Sequence, residues 1–126
     1  MARKTSSNLT DAELRLMEVL WEKGPGTVWG VLEGLAAMPR PAYSTVITTL
    51  RILEKKGYVR HKKDGRAFTY EPLMGRHEAR RSAAAHLLER LFEGSPELLM
   101  NSLFEDRKIS AEEFERLSKL VKEEGP

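Results

Sequence analysis

The stretch Pro41–Gly57, PAYSTVITTLRILEKKG, decides which fold this sequence can adopt. Read with a helical period, Val46, Leu50 and Leu53 share one apolar face, and Ile47 lies beside it. The opposite stripe begins with short hydroxyls, continues with long cations and contains no acidic residue. Its members are Ser44, Thr45, Thr48, Arg51 and Lys55. Short hydrogen-bonding side chains suit base edges and cations suit phosphates, so the pattern predicts a DNA-recognition helix.

The composition is that of a globular protein with unevenly placed charge. The chain has 126 residues, of which 40% are hydrophobic and 32% charged, so it forms one compact unit or two very small ones. The net charge is +2, yet residues 40–66 carry 8 basic and only 2 acidic side chains. This positive region surrounds the predicted helix and suits a polyanion partner, although an ordinary solvated basic surface has the same composition.

Several classes of protein are disfavoured. The chain contains no cysteine, which excludes disulfide frameworks and thiolate metal sites. No apolar run approaches the roughly 20 residues that span a bilayer, and the basic start MARKTSSN leads into no apolar signal segment. His61, His77 and His86 lack metal-site spacing, and no phosphate loop or nucleophile set is present. We therefore expect a cytoplasmic protein that is not an enzyme, needs no cofactor or metal and does not bind membranes directly.

Two helices are predicted before the recognition helix. Thr10 and Glu13 have the spacing of a capping box, which predicts a helix that ends before a Gly-Pro-Gly segment. The face predicted to be buried consists of Leu14, Met17, Leu20 and Trp21. A second helix is predicted over about 29–37, after which two prolines force a turn. This helix is expected to bury Val31, Leu32 and Leu35. We expect Trp21 and Trp29 to pack in the core or at a seam between domains.

Two short strands, 58–60 and 67–70, are predicted after the recognition helix. Asp64-Gly65 between them favours a tight type I′ hairpin turn. Three helices followed by a hairpin predict a mainly α fold with a small β wing, that is, a winged helix-turn-helix domain. The cations of the wing are expected to reach phosphates beside the groove that the helix enters. They are Lys62, Lys63 and Arg66.

Single residues of the stripe leave alternatives open. Four Ser and Thr residues between positions 44 and 49 run against helix propensity, which favours a functional role. Arg51 and Lys55 could instead keep the helix soluble. Tyr43 could stack on the DNA backbone or close the turn before the helix, and both interpretations stand.

The last part of the chain is purely helical, with helices expected over 76–92, after Ser95 and after Ser110. Their apolar faces contain Ala84, Leu87, Leu88, Leu91, Leu98, Leu99, Leu103, Phe114, Leu117, Leu120 and Val121. About 50 residues are too few to bury such faces alone, so they fold back on the winged domain or pair with a second copy. We favour a dimer, because two-fold symmetry matches a palindromic operator. The expected organisation is therefore a flexible tail (1–8), a DNA-binding domain (9–72) and a three-helix dimerisation module (75–124).

Two long segments carry a family resemblance. LTDAELRLMEVLWEKGPGTVWGVLEGL (9–35) and AYSTVITTLRILEKKGYVRHKKDGRAFTYEPL (42–73), followed by three helices, resemble the penicillinase and methicillin-resistance repressors of the BlaI/MecI/CopY type. The most specific parts are Leu9, Glu13, Met17 and Trp21 at intervals of four, and the segments 43–46 and 55–57. The resemblance implies a homodimeric repressor that binds inverted-repeat operators, commonly with TACA/TGTA-like half-sites, of β-lactam-resistance or related genes. It assigns base and phosphate contacts to Ser44, Thr45, Thr48 and Arg51, and wing contacts to Lys62, Lys63 and Arg66.

The resemblance also implies a switch. Members of the family are inactivated by cleavage in the dimerisation domain after a membrane-bound sensor metalloprotease detects a β-lactam. The bond would lie near Ser102-Leu103, where this sequence departs from the Asn-Phe of the best-known members. Copper-responsive relatives carry a C-terminal cysteine cluster that this chain lacks. Two alternatives remain: a winged-helix regulator that binds a small effector in its dimer crevice, and a winged helix used only for protein contacts.

Overall fold

The computed structural model describes residues 9–35 and 39–124, which form six helices and three strands. In chain order they are α1 (Asp11–Lys23), β1 (Gly26–Thr27), α2 (Val28–Gly34), α3 (Tyr43–Lys56), β2 (Val59–Asp64), β3 (Ala67–Pro72), α4 (Arg76–Leu91), α5 (Pro96–Glu105) and α6 (Ala111–Glu124). The chain divides into two compact units after Ser82, within α4. The expected tail, 1–8, lies outside the described residues. No helix of the described part is long and apolar enough to cross a membrane.

Helix α1 begins and ends where the sequence predicts, but its buried face is different. The Oγ1 of Thr10 accepts a hydrogen bond from the N–H of Glu13 at 3.1 Å, and Glu13 Oε1 accepts one from the N–H of Thr10 at 2.9 Å. The buried positions, spaced i, i+3, i+4 and i+7, are Glu13, Leu16, Met17 and Leu20. The prediction that Leu14 is buried was wrong, because this stripe passes through Leu16 and leaves Leu14 39% exposed.

Helix α2 is shorter than predicted. It begins at Val28, one residue early, because the Oγ1 of Thr27 caps it by accepting a hydrogen bond from the N–H of Gly30 at 3.0 Å. It ends at Gly34, since Leu35 has an extended backbone. The predicted continuation to residues 36–37 lies outside the described residues. The expected core residues follow the prediction: Val31 and Leu35 are buried and Leu32 is half-buried against the core.

Helix α3 is fixed to the rest of the first unit by its apolar face. Val46, Leu50 and Leu53 are fully buried and Ile47 is half-buried against them, as predicted. The helix ends at Gly57, whose left-handed backbone (φ 95°) suits a helix C-terminus. The core that receives this face is built from the other elements of the unit: Leu16, Met17, Leu20, Val28, Val31, Leu35, Tyr58, Val59, Tyr70, Met74 and Ala79. The opposite face of α3 is therefore left outside.

A three-stranded antiparallel sheet completes the first unit, with strand order β1-β3-β2. Both strands of the hairpin are longer than predicted, since β2 continues through 61–64 and β3 through 71–72. Most residues at these positions are polar or charged, so they do not form the alternating hydrophobic pattern from which a strand is predicted. The result confirms the mainly helical fold with a small β wing.

The turn of the wing differs from the prediction. Asp64 pairs with Ala67, so the two loop residues are Gly65 and Arg66 rather than Asp64 and Gly65. Only Gly65 has a positive φ (65°) in this turn. A type I′ turn needs a positive φ at both loop residues, so that prediction was wrong. Glycine at the first loop position matches a type II′ turn.

The second unit contains the end of α4 together with α5 and α6. As predicted, Ser95 caps α5 by accepting the Leu98 N–H at 3.2 Å, and Ser110 forms a capping box with Glu113 at the start of α6. The rings of Phe104 and Phe114 lie 5.2 Å apart between centroids, where α5 and α6 meet. Among residues 83–122, whose side chains are described, only Met100 is buried. These helices bury almost no residue against one another.

Candidate nucleic-acid interface

The predicted stripe of α3 is exposed along its whole length. Ser44, Thr45, Thr48, Arg51 and Lys55 all face away from the core. The neighbouring Thr49 is half-buried, and its Oγ1 donates to the Thr45 carbonyl oxygen at 2.8 Å. The hydroxyls of Ser44, Thr45 and Thr48 make no hydrogen bond within the described ranges. They are available to another molecule. Sequence reasoning missed Ile52, which lies on the same face and is 42% exposed.

A partly buried ion pair anchors the far end of α3. The Nζ of Lys56 lies 2.7 Å from the Oε1 of Glu13, the one buried charged side chain of the described part. Burial raises the pKa of Glu13, but the hydrogen bond from Lys56 and those from Thr10 outweigh it, so the pKa lies below its ordinary value. The carboxyl is therefore ionised near neutral pH, and it joins the start of α1 to the end of α3.

The second half of α3 and the start of β2 border an open groove of about 520 Å³. Its lining includes the cations Arg51, Lys55 and Arg60, together with Glu54. Arg51 lies beside the phenol of Tyr70. Burial and the charge of Glu54 raise the pKa of Tyr70, and Arg51 acts in the opposite direction. Sequence reasoning missed Arg60, because it assigned wing contacts only to the residues nearer the turn.

The cations of the wing are divided between the two faces of the hairpin. Lys62 lies with Arg60 on the face of Glu71, 3.2 Å from its Oε1. The hydrogen bond from Arg60, and then the one from Lys62, lower the pKa of Glu71. Lys63 lies opposite Phe68 on the other face, is exposed and has no ion pair within the described ranges. Arg66, in the turn, is exposed as well.

Glu54 ties the wing to the recognition helix. Its carboxylate accepts the backbone N–H of His61 at 3.1 Å and lies 2.7 Å from the His61 Nδ1. The imidazole also contacts the rings of Phe68 and Tyr70, at centroid distances of 5.1 and 5.8 Å. This role was not predicted from the sequence, because no local sequence pattern indicates a contact between a helix residue and a strand residue seven positions later. The wing is therefore held in a defined place relative to α3.

The two tryptophans differ in environment. Trp21 is half-buried, and its Nε1 donates to the Met74 carbonyl oxygen at 2.9 Å. Trp29 is 60% exposed, so of the two places expected for it, the core or a seam between domains, the core was wrong. Its neighbours Val28 and Val31 take the buried positions of α2, which turns Trp29 outward. Its ring lies 4.7 Å from that of Tyr43, itself 39% exposed.

The second unit carries the residues that the sequence assigns to dimerisation. None of them is buried within the chain. Ala84, Leu87, Leu91, Leu98, Leu117 and Leu120 are exposed, whereas Leu88, Leu99, Leu103, Phe114 and Val121 are half-buried. The bond between Ser102 and Leu103 lies inside α5, and the Ser102 carbonyl oxygen accepts the Asp106 N–H at 3.1 Å. Within the described residues, no group of three or more acidic or imidazole side chains is placed to hold a metal.

Comparisons with known proteins agree on one family. The family model for the penicillinase repressor matches residues 9–123. The penicillinase repressor of Bacillus licheniformis is 28% identical over 120 residues, covering 95% of this chain and 94% of that protein. The transcriptional regulator BlaI of Mycobacterium tuberculosis is 34% identical over 123 residues, covering 83% and 88%. The methicillin resistance regulatory protein MecI of Staphylococcus aureus is 22% identical over 113 residues, covering 90% and 92%.

Two solved structures are similar to the first unit. The solution structure of the DNA-binding domain of the repressor BlaI has a TM-score of 0.53 and 32% identity. The monomeric form of Bacillus licheniformis BlaI, solved in complex with the blaP half-operator, has a TM-score of 0.50 and 32% identity. Each covers 60% of this chain and 93% of the solved chain. The fold of the first unit is that of a winged-helix DNA-binding domain, and the chain belongs to the penicillinase repressor family.

Proposed function

We propose that this protein is a transcriptional repressor that binds a specific DNA sequence with α3 in the major groove. The observation that carries the proposal is the stripe of α3, where the exposed hydroxyl residues Ser44, Thr45 and Thr48 precede the exposed cations Arg51 and Lys55. The hydroxyls are suited to base edges and the cations to flanking phosphates. The buried opposite face of α3 holds this stripe rigidly. A relative of known structure was solved with an operator half-site, which supports DNA binding by this chain.

The wing supplies a second, sequence-independent contribution. Lys63 and Arg66 are exposed and unpaired within the described ranges, so they can neutralise phosphates without first breaking an ion pair. Lys62 must leave Glu71 to do so, and it therefore contributes less. The contact between Glu54 and His61 supports this assignment, because it keeps the wing at a set distance from α3. Repression would follow from occupation of promoter DNA.

The same proposal includes a homodimer formed through the second unit. Its support is the near absence of a core among residues 83–122, where Leu91 is 61% and Leu120 is 53% exposed. Apolar helix faces of this extent are stable in water when a second copy covers them. A two-fold dimer presents two copies of α3 to an inverted repeat, and the dimer contact sets the half-site spacing.

The proposed means of release is cleavage between Ser102 and Leu103 by a membrane-bound sensor metalloprotease. Cleavage there would cut α5 and separate apolar residues that the dimer needs. The bond is helical, so α5 has to unwind locally before a protease can act on an extended segment. Incubation with the protease domain of a candidate sensor, followed by mass spectrometry, tests this step. A chain that stays intact, while a known substrate repressor is cleaved in the same tube, would contradict it.

The repressor proposal itself is tested by selection from random duplexes with the full-length protein. The mass of the protein in solution is determined on the same sample. Enrichment of an inverted repeat by a dimer is the expected result. Enrichment of one half-site by a monomer would contradict the dimer, and binding without sequence preference would contradict the repressor.

A further inference from the structure

Trp29 and Tyr43 form an exposed aromatic pair at the edge of the recognition stripe. Trp29 lies in the first turn of α2 and Tyr43 is the first residue of α3. Their ring centroids are 4.7 Å apart and the ring planes are tilted by 40°. Tyr43 directly precedes Ser44 and Thr45, so the pair is continuous with the hydroxyl end of the stripe.

Two features separate Trp29 from an ordinary surface residue. The core positions of α2 are filled by Val28 and Val31, so the indole is not needed for the packing of the domain. Its N–H also donates to no acceptor within the described ranges, whereas the indole of Trp21 donates to the Met74 carbonyl oxygen. A large aromatic surface with an unused donor is typical of residues that complete their contacts at an interface.

We propose that Trp29, supported by Tyr43, contacts the sugar–phosphate backbone of duplex DNA beside the groove that α3 enters. The inference rests on the proposed function, because the pair adjoins the stripe assigned to the groove. The indole N–H donates to a phosphate oxygen, its ring covers the adjacent deoxyribose, and the Tyr43 ring holds the indole in place. Contacts of this kind fix the position of a protein on DNA without reading the sequence.

The test compares variants of the full-length protein on two duplexes, the one enriched by selection and one of mixed sequence. Trp29→Ala is expected to raise Kd about tenfold, or about 1.4 kcal/mol, on both duplexes alike. The slope of log K against log salt stays unchanged, because no cation is removed. Trp29→Phe, which keeps a ring and loses the donor, falls between the wild type and Trp29→Ala. Leu14→Ala removes an exposed apolar side chain from α1 and binds as the wild type does.

A second measurement follows the indole directly. Acrylamide quenches exposed tryptophan, so the difference in quenching between the wild type and Trp29→Phe reports Trp29 alone. DNA is expected to remove most of this difference. A Trp29 that stays fully accessible in the saturated complex overturns the inference, as does a Trp29→Ala variant that binds like Leu14→Ala.

The remaining outcomes are also decisive. A Trp29→Ala variant with unchanged DNA affinity and a changed mass in solution would assign the pair to a protein contact instead. Failure of the wild type to bind either duplex would overturn the proposed function, and this inference with it. Wild-type binding together with unaffected Trp29 variants would overturn this inference alone.

Discussion

Lys56, in the last turn of α3, donates to the buried Oε1 of Glu13 in the first turn of α1, across 2.7 Å. The same carboxylate accepts the backbone N–H of Thr10 and so completes the capping box of α1. One side chain therefore serves as a helix cap and as the anchor of the helix proposed to read DNA. The angle of α3 relative to α1 depends on this contact as well as on apolar packing.

Replacing Glu13 by Gln tests the ion pair separately from the cap. Gln still serves in a capping box, so the variant loses chiefly the charge opposite Lys56. We expect the free energy of unfolding to fall by about 1.5–3 kcal/mol at pH 7, the range for a hydrogen bond to a charged group. Thermal unfolding monitored by circular dichroism measures it. Glu18→Gln, on the same helix, disrupts an exposed pair with Arg76 and should change stability little.

The pH dependence of this difference follows from the lowered pKa of Glu13. A carboxyl with a lower pKa in the folded state stabilises the fold above its unfolded value, near 4.5, and this contribution is lost as the pH falls through the folded pKa. The stability gap between the wild type and Glu13→Gln should therefore be constant above pH 5 and shrink below about pH 4.5. A gap that stayed constant down to pH 3 would show that the charge of Glu13 contributes nothing.

Thr48→Ala should relax the base preference of the protein at one position of each half-site. The loss of a base contact is expected to reduce discrimination there by about 1–3 kcal/mol, while binding to mixed-sequence DNA changes little. Thr49→Ala removes the same atoms one residue away, where the hydroxyl is already bonded to the Thr45 carbonyl oxygen. Competition binding with single-base operator variants distinguishes the two. Equal preferences for Thr48→Ala and Thr49→Ala would place the groove contact elsewhere.

Glu71→Gln should strengthen DNA binding, because it releases Arg60 and Lys62 from the carboxylate that now holds them. If one released cation reaches a phosphate, the slope of log K against log salt steepens by about 0.9. Lys63→Ala should have the opposite effect, with a weaker affinity for every sequence and a shallower slope. Titrations at several salt concentrations measure both variants. An unchanged slope for Glu71→Gln would mean that the face of Lys62 does not meet DNA.

Much of the first unit could be predicted from the sequence because its signals are local. Capping boxes, the buried face of α3 and the glycine that ends it depend on residues within a few positions of each other. The exposure of the whole stripe followed directly from that buried face. The same reasoning failed for Leu14, because a buried Glu13 shifted the stripe of α1, and no local pattern predicts that a carboxylate is buried.

The parts that could not be predicted depend on pairs that are distant in sequence or polar. The strands of the wing extend through His61, Lys62 and Lys63, whose hydrogen bonds to β3 are independent of side-chain hydrophobicity. The hydrogen bond from the backbone N–H of His61 to the Glu54 carboxylate joins a strand to a helix, and no periodic pattern in the sequence predicts it. The exposure of Trp29 follows from the start of α2 at Val28, one residue before the predicted one. Each error therefore concerns a tertiary contact or a boundary rather than the type of element.

The dimer proposal predicts that a substitution in the second unit, at Leu120, changes the affinity for DNA. Leu120→Gln places an amide on the exposed apolar face of α6. Leu120 is 53% exposed, so covering the rest of its side chain contributes about half of the roughly 1.5–3 kcal/mol of a fully buried leucine in each protomer, and the dimer loses this contribution twice. The dimer should therefore dissociate about 10- to 100-fold more readily, as measured by sedimentation equilibrium. Lys119→Gln, at the adjacent position, introduces the same side chain on the polar face and should leave the dimer intact.

Leu120→Gln should also lose affinity for the inverted repeat, because two linked half-site contacts become one, while its affinity for a single half-site stays the same. A Leu120→Gln protein that remained a dimer with full affinity for the repeat would move the dimer contact away from this face of α6.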